Sequence, residues 1–194
     1  MYLLKLRRER ARSCLLSTQP KYATQGAIHR RTESAILEGT KKLIAQFGLS
    51  NISMIEIADE SQVSRATLYN HYRDKSAVIE ALIASEAERL IEISGHADSA
   101  VEALETISLA ISSDAALASM RIHDKSALTD LLAHAEHPLY LELATYIFSV
   151  TKSEAGTGLA MRWLLGQVSQ PVTPKQSHEQ AKLLVERSDA NIRS

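Results

Sequence analysis

The sequence predicts an all-helical protein, and three observations support this. Aliphatic residues and alanine dominate the 194-residue chain, whereas the Val/Thr alternation typical of half-buried strands is scarce. Apolar residues recur at helical spacing, and residues that cap helices well stand before the apolar runs. Hydrophobic residues make up 45% and charged residues 23% of the sequence, which is the balance of a globular protein with a core. The length allows one medium domain or two small ones.

The first two helices have clear boundaries in the sequence. Helix 1 is predicted to start near Thr32, a possible N-cap, and Gly48 stands directly after its last apolar residue. Helix 2 is predicted to start at Ser53, because "SMIE" can form a capping box in which Ser53 and Glu56 satisfy each other's amides. It is predicted to end near Ser61. The apolar positions of helix 1 recur at helical spacing: Ala35, Ile36, Leu43, Ile44 and Phe47.

Two more capped helices follow a turn of three or four residues. Helix 3 is short, from Ser64 to about Tyr72, and helix 4 runs from Asp74 to about Ile93. Further helices are predicted at about 98–112, 114–121, 124–135, 138–151, 153–169 and 175–191. Five residues mark plausible starts for these later helices: Asp98, Asp114, Asp124, Ser153 and Thr173.

Residues 1–31 form a basic arm that differs from the rest of the chain. They lack a sustained period and carry a net charge of +7, whereas residues 32–92 and 93–194 each carry −4. We expect this arm to be disordered, or ordered only on a partner. A basic arm favours a polyanionic partner such as nucleic acid. Two interpretations stay open: the arm reaches an adjacent minor groove or phosphates, or it is a dispensable extension.

The sequence offers no chemistry typical of an enzyme. It has no paired-carboxylate motif, phosphate loop, nucleophile elbow or metal box, so neither a catalytic site nor a cofactor is predicted. "HAEH" places His134 and His137 at a feasible ligand spacing, but Pro138 disfavours a helical His137, so no metal site is predicted. A single cysteine, no continuous apolar stretch typical of a signal peptide and no membrane-spanning run predict a cytoplasmic protein.

Residues 64–75, "SRATLYNHYRDK", are rich in rings and hydrogen-bond donors, and Leu68 is their one bulky aliphatic residue. A capped helix, a short turn and a second short capped helix form a helix-turn-helix, whose second helix must leave its outward side chains free for the major groove. About residues 32–85 resemble the DNA-binding domain of the TetR (tetracycline repressor) family. The shared features are a helix ending in "FG", a serine before "MIEIA", and "VSRATLYNHYRDK".

The resemblance implies DNA-binding roles for ten residues. Residues that contact or buttress the DNA backbone would be Ser53, Ser64, Thr67, Tyr69 and Tyr72, and Lys75 would bind a phosphate. Residues at or around the base edges would be Ser64, Arg65, Ala66, Asn70 and His71. Asn can pair with adenine, Arg with guanine, and small methyl groups can pack on thymine. Besides these roles, we expect packing to be the main role of Tyr69, and the ring of Tyr72 to pack against helix 1.

The resemblance also implies a helical-bundle second half that binds a small molecule and dimerises. The predicted organisation is an arm at 1–31, a helix-turn-helix domain at 32–78, and a ligand-binding and dimerisation domain at 79–194. A homodimer would form through helices near 153–169 and 175–191, "EAGTGLAMRWLLGQVSQP" and "HEQAKLLVE", with apolar area from Leu159, Met161, Trp163, Leu164, Leu165, Leu183 and Leu184. Candidate ligand-lining residues are Met120, His123, Leu128, Leu132, Tyr140, Leu143, Ile147, Met161 and Trp163.

The function that these features predict is a sequence-specific, DNA-binding transcriptional regulator. We expect a repressor that a small-molecule ligand releases from a palindromic, double-stranded operator. The alternative is a helical DNA-binding regulator that a protein partner controls, with no small-molecule ligand. The operator sequence and the identity of the effector do not follow from the sequence.

Overall fold

A computed structural model describes residues 21–133 and 138–192 of the chain, and within these ranges it contains ten α-helices and no β-strand. The all-helical class is therefore confirmed. The helices are α1 Lys21–Phe47, α2 Met54–Glu60, α3 Arg65–His71, α4 Lys75–Ser94, α5 Ala100–Ser112, α6 Ala115–His123, α7 Lys125–Ala133, α8 Pro138–Thr151, α9 Glu154–Ser169 and α10 Pro174–Ile192.

Helix α1 begins at Lys21, so the predicted start near Thr32 is wrong. Thr32 does not cap the helix, because its hydroxyl donates to the Ile28 carbonyl oxygen one turn earlier, over 3.0 Å, as threonines inside helices do. Residues 21–31 of the predicted arm are consequently helical, and Arg30 and Arg31 are exposed there. Residues 1–20, the rest of the predicted arm, lie outside the described residues.

Capping residues fix most helix starts where the sequence predicts them. Five predicted caps accept a hydrogen bond from an amide in the first turn of their helix: Ser53, Ser64, Asp74, Asp114 and Ser153. Two predicted caps differ. Helix α5 is capped by Ser99 rather than Asp98, and the carboxylate of Asp124 accepts hydrogen bonds from a distant loop instead of from α7.

One buried cluster joins the helix-turn-helix to the helices that follow it. In the first four helices the cluster contains one buried residue from each: Ile36, Ile57, Leu68 and Val78. It continues into α5, α8 and α9 through Leu104, Ile107, Ile147 and Leu164. Among the described residues, no helix has the length and apolar character that crossing a membrane requires.

Candidate DNA-binding surface and apolar cavity

The helix-turn-helix consists of α2, a tight turn and α3. Ser61 is the C-cap of α2, and Gln62 adopts a left-handed conformation with a φ of 55°. The Val63 amide donates to the Ala58 carbonyl oxygen over 3.0 Å, which closes the turn. Four residues therefore separate the two helices, as the sequence predicts.

Serine hydroxyls are held at the first turns of both helices. The Glu56 carboxylate accepts from the hydroxyl and the amide of Ser53 over 2.7 and 2.8 Å, and these hydrogen bonds, the hydroxyl's first, lower the pKa of Glu56. Ser64 Oγ accepts from the Thr67 amide over 3.0 Å and lies 2.7 Å from the Thr67 hydroxyl oxygen. Three of the predicted backbone-contacting hydroxyls are thus fixed by local hydrogen bonds.

Helix α3 divides its residues between the core and solvent. Leu68 is fully buried and Tyr72 is 8% exposed, so both side chains belong to the core side of the helix. Thr67 and His71 are half-buried, and the centroids of the His71 and Tyr72 rings lie 6.1 Å apart. The outward face carries four exposed residues: Arg65, Ala66, Tyr69 and Asn70. Residues that could reach bases therefore share one surface.

Packing is not the main role of Tyr69, contrary to the prediction, because its side chain is 53% exposed. The residue follows the buried Leu68, and one helical position turns a side chain by about 100°. That rotation carries the Tyr69 ring from the core side of α3 to the outward face, beside Asn70. The tyrosine is therefore available to contact something outside the chain.

Lys75 holds the loop between α1 and α2. Its ammonium donates to the carbonyl oxygens of Leu49 and Ile52 over 3.1 and 3.0 Å, and its side chain is half-buried. An ammonium has three donors, so these bonds leave one for another acceptor. The lysine expected to bind phosphate thus also positions the loop that leads into α2.

Asp124 holds the same loop from the far end of α6. Its carboxylate accepts from the amides of Leu49 and Ser50 over 2.6 and 2.9 Å, and the residue is only 2% exposed. Burial raises the pKa of Asp124, but hydrogen bonds from Ser50 and Leu49 and the nearby His123 outweigh it, so the pKa lies below its ordinary value. This carboxylate is therefore charged near neutral pH, and each of its oxygens accepts a backbone hydrogen bond.

Gly48 makes the close approach of Asp124 possible. Its φ is +81°, a conformation that L side chains rarely adopt. A Cβ atom at this position would lie 2.7 Å from Asp124 Oδ2 and 3.0 Å from His123 Cβ. Only glycine therefore suits both the backbone and the neighbouring carboxylate.

A second link joins α1 to the start of α6. Lys41 Nζ lies 2.7 Å from Glu86 of α4 and 2.8 Å from Asp114, the N-cap of α6. Arg89 pairs with the other oxygen of Glu86 over 2.8 Å. The N-terminal end of α6 thus contacts α1 through an ion pair, and its C-terminal end contacts the loop directly after α1 through hydrogen bonds.

A cavity of about 260 Å³ lies beside α6. Seven helices contribute to it, α1 and α4 to α9, and its lining is mostly aliphatic. The lining residues are Lys41, Ile44, Leu49, Ile79, Leu82, Ile83, Glu86, Ala87, Arg89, Leu90, Ala110, Ile111, Asp114, Ala116, Leu117, Met120, Ala127, Leu132, Tyr140, Leu143, Leu165 and Val168. Tyr140 contributes a phenol, the one among the described lining residues, and burial raises its pKa.

The cavity brings together part of the predicted ligand-binding set. Met120, Leu132, Tyr140 and Leu143 line it. The other predicted residues do not: His123 is exposed, whereas Leu128, Ile147 and Met161 are buried in the core. Trp163 lies elsewhere too, because its indole N–H donates to Gln180 of α10 over 2.5 Å.

Helices α9 and α10, the predicted dimerisation helices, pack against each other. Of the apolar residues predicted for the interface, Leu159 and Leu183 are exposed, with more than half of each side chain accessible. Met161 and Leu164 are buried within the chain, and Leu165 lines the cavity. The outward apolar area on these helices is thus narrower than the sequence predicts.

No group of three or more His, Cys, Asp or Glu residues that could hold a metal ion occurs within residues 21–133 and 138–192. His134 and His137, the pair at ligand spacing in the sequence, lie outside the described residues.

Sequence reasoning missed the residues that link α6 to α1. It identified Asp114 and Asp124 only as helix caps, and it assigned no role to Lys41 or Glu86. No local pattern could have identified Asp124, because its hydrogen-bond partners are 74 and 75 positions away along the chain. A weak signal for the cavity wall lies in helix 4, where Glu86 and Arg89 stand close to the aliphatic residues Ile79, Leu82, Ile83 and Leu90.

Comparison with known proteins identifies the helix-turn-helix region. Residues 36–82 match the family model of bacterial regulatory proteins of the tetR family. A search of curated proteins finds no significant match.

Solved structures of similar fold come from several bacteria. The TetR family repressor AlkX from a Dietzia strain, implicated in biodegradation of n-alkanes, is 16% identical with a TM-score of 0.59, covering 81% of this chain and 95% of its own. A TetR-family transcriptional regulator from Streptomyces coelicolor is 16% identical with a TM-score of 0.55, and the match covers 91% of this chain and 98% of that regulator. A TetR family transcription regulator from Marinobacter aquaeolei is 15% identical with a TM-score of 0.51, and the match covers 81% of this chain and 95% of that regulator.

Proposed function

We propose that this chain is a DNA-binding transcriptional regulator of the TetR family, whose family model residues 36–82 match. We further propose that it is a repressor that leaves its operator when a small molecule occupies the cavity. The observation that carries the proposal is the outward face of α3. Arg65 and Asn70 are exposed there, and the buried Leu68 anchors the helix from behind. A short helix anchored on one side and polar on the other suits the major groove.

The side chains on this face have the chemistry that base recognition requires. Arg65 can donate two hydrogen bonds to guanine, Asn70 can pair with adenine, and the Ala66 methyl group can pack on thymine. Arg65 makes no ion pair within the part of the chain that the structure describes, so its guanidinium needs no rearrangement before binding. The DNA backbone would be contacted by Tyr69, by the hydroxyls of Ser53, Ser64 and Thr67, and by the remaining donor of Lys75. Tyr72 would support these residues from the core, and His71 would lie beside the base-facing residues.

A palindromic operator requires two copies of α3 about one helical turn of DNA apart. We assign the dimer contact to α9 and α10, where Leu159 and Leu183 are exposed. Both lie on the helices that the family resemblance implies. A symmetric contact there would set the spacing of the two recognition helices.

Helix α6 offers a route from the cavity to the DNA-binding helices. Its residues Ala116, Leu117 and Met120 line the cavity. Its two ends are tied to α1 through Asp114 and Lys41, and to the following loop through Asp124. A ligand that displaces α6 would therefore move the start of α2 and change the spacing of the recognition helices.

The test is operator binding by the purified protein. DNA selected from genomic fragments should contain an inverted repeat, and its affinity should fall steeply as salt rises. Each good base contact contributes about 1–3 kcal/mol, so Arg65→Ala combined with Asn70→Ala should weaken operator binding by a factor of about 100 or more in fluorescence anisotropy.

The matched control is Lys125→Ala, which removes an exposed charge from α7. We expect unchanged operator affinity for this variant and unchanged melting temperatures for both variants. Full affinity in the double variant would exclude the outward face of α3 as the base-reading surface. A selected sequence without symmetry would argue against the dimer.

A further inference from the structure

The cavity lining limits the chemistry of its ligand. Apart from Tyr140 and four charged residues, every lining side chain among the described residues is apolar. A hydrocarbon surface cannot replace the hydrogen bonds that a polar ligand group loses on leaving water. Most of the ligand must therefore be hydrocarbon too.

The four charged lining residues neutralise one another. Lys41 bridges Glu86 and Asp114, and Arg89 pairs with Glu86 through both its Nε and its Nη2 atoms, at 2.9 and 2.8 Å. Two cations thus meet two anions within hydrogen-bond distance. A charged ligand group would have to displace one member of this network, which would leave another charge without a partner in a mostly apolar lining.

We infer that the cavity binds an uncharged, mostly hydrocarbon molecule of on the order of ten heavy atoms, with one hydrogen-bonding group that meets the Tyr140 hydroxyl. The inference rests on the proposed function, because it takes the cavity as the effector site. Among the described lining residues, Tyr140 is the one that carries a hydroxyl. The volume of about 260 Å³ lies between the roughly 150 Å³ that holds benzene and the roughly 300–1,000 Å³ of drug-sized sites.

The experiment compares probes of equal chain length and different charge. Isothermal titration calorimetry on the full-length protein would use 1-octanol, octanoate and octylammonium at pH 7. We expect octanol to bind and the two ions to bind at least about 30-fold more weakly, because burying an unpaired charge is costly. Binding of 1-hexanol should be about tenfold weaker than that of 1-octanol, because two fewer methylene groups are buried.

Variants then locate the binding site. Tyr140→Phe should weaken octanol binding about two- to tenfold through the loss of one hydrogen bond. Ala127→Met, which extends into the cavity, should weaken it more than about tenfold, and Ala118→Met, on the exposed side of α6, should leave it unchanged. Ala110→Met is a second blocking variant should Ala127→Met fail to fold, and melting curves identify that case.

The outcomes separate this inference from the proposed function. Octanoate or octylammonium binding as tightly as octanol would overturn the inference, and so would the absence of octanol binding, whereas operator binding is measured independently of both. A third outcome is that Ala127→Met blocks octanol binding, whereas octanol does not change the operator affinity of the wild type. That outcome would support the ligand class and contradict release of the operator by the ligand.

Discussion

The candidate DNA-binding surface and the cavity are built in opposite ways. The surface comes from one stretch, Ser64 to Lys75, together with the capped start of α2. The cavity draws its lining from seven helices spread between Lys41 and Val168. A surface on one helix follows from which side chains face inward, so a local pattern can specify it. An internal space depends on how all the surrounding helices pack.

The two regions also differ in what holds their key groups. Local caps and one buried leucine position the outward face of α3, whereas hydrogen bonds and ion pairs between residues far apart in the chain tie the cavity wall to α1. Substitutions in the first region should therefore act on folding or DNA binding separately. Substitutions in the links should act on both stability and the response to ligand.

Leu68→Ala should have the largest effect on stability. The side chain is fully buried behind α3, so its truncation should lower the free energy of unfolding by about 2–5 kcal/mol. Urea unfolding followed by circular dichroism measures the change. The comparison variant is Tyr69→Ala, the next residue along the helix, which should change stability by less than about 1 kcal/mol because it is exposed, yet lower operator affinity. Equal destabilisation by the two substitutions would contradict the division of α3 into a core side and an outward side.

The fold and the outward face of α3 could be predicted from the sequence for a physical reason. Capping boxes, glycine stops and apolar periodicity are short-range signals, and they located α2 to α10 to within about two residues. They failed at the start of α1, where Thr32 bonds back to Ile28 instead of capping. They failed again at Tyr69, because hydrophobic character alone does not say which side of a helix a ring occupies.

The cavity lining could be predicted only in part. Met120 and Tyr140 were identified on helices of known register, but Trp163 was misplaced, because its partner Gln180 belongs to another helix. Asp124 was identified as a cap, although its carboxylate serves a loop near the other end of the sequence. Such pairings depend on tertiary packing and leave no local trace.

Asp124→Asn should lower the free energy of unfolding by about 1–3 kcal/mol at pH 7. The amide group can accept in place of only one carboxylate oxygen, and it removes the charge from the hydrogen bonds to Leu49 and Ser50. Because the pKa of Asp124 in the folded chain lies below its ordinary value of 3.8, the stabilisation is complete above about pH 4. It is lost as the pH falls through the lower, folded value.

The measurement is the difference in unfolding free energy between the wild type and Asp124→Asn from pH 7 down to pH 3. We expect a constant difference to about pH 4 that shrinks below it. Other carboxylates, including Glu56, titrate in both proteins and cancel in the difference. A difference that grows on acidification would show that the folded protein raises the pKa of Asp124.

The ion pair between Lys41 and Asp114 should have the smallest effect, about 0.5–1 kcal/mol, because both side chains are partly accessible to solvent. A double-mutant cycle with Lys41→Met and Asp114→Asn isolates this pair, because asparagine still caps α6 while it removes the charge. Lys41→Met also breaks the pair with Glu86, and the cycle removes that contribution. If α6 transmits ligand binding to α1, the same variants should reduce the loss of operator affinity that 1-octanol causes. Because both residues line the cavity, the comparison uses an octanol concentration that saturates each variant. Suppose that the coupling energy between Lys41 and Asp114 is zero and that octanol still lowers operator affinity as in the wild type. The ion pair then plays no part in transmission, and the hydrogen bonds of Asp124 after the last turn of α6 would be the contact to test.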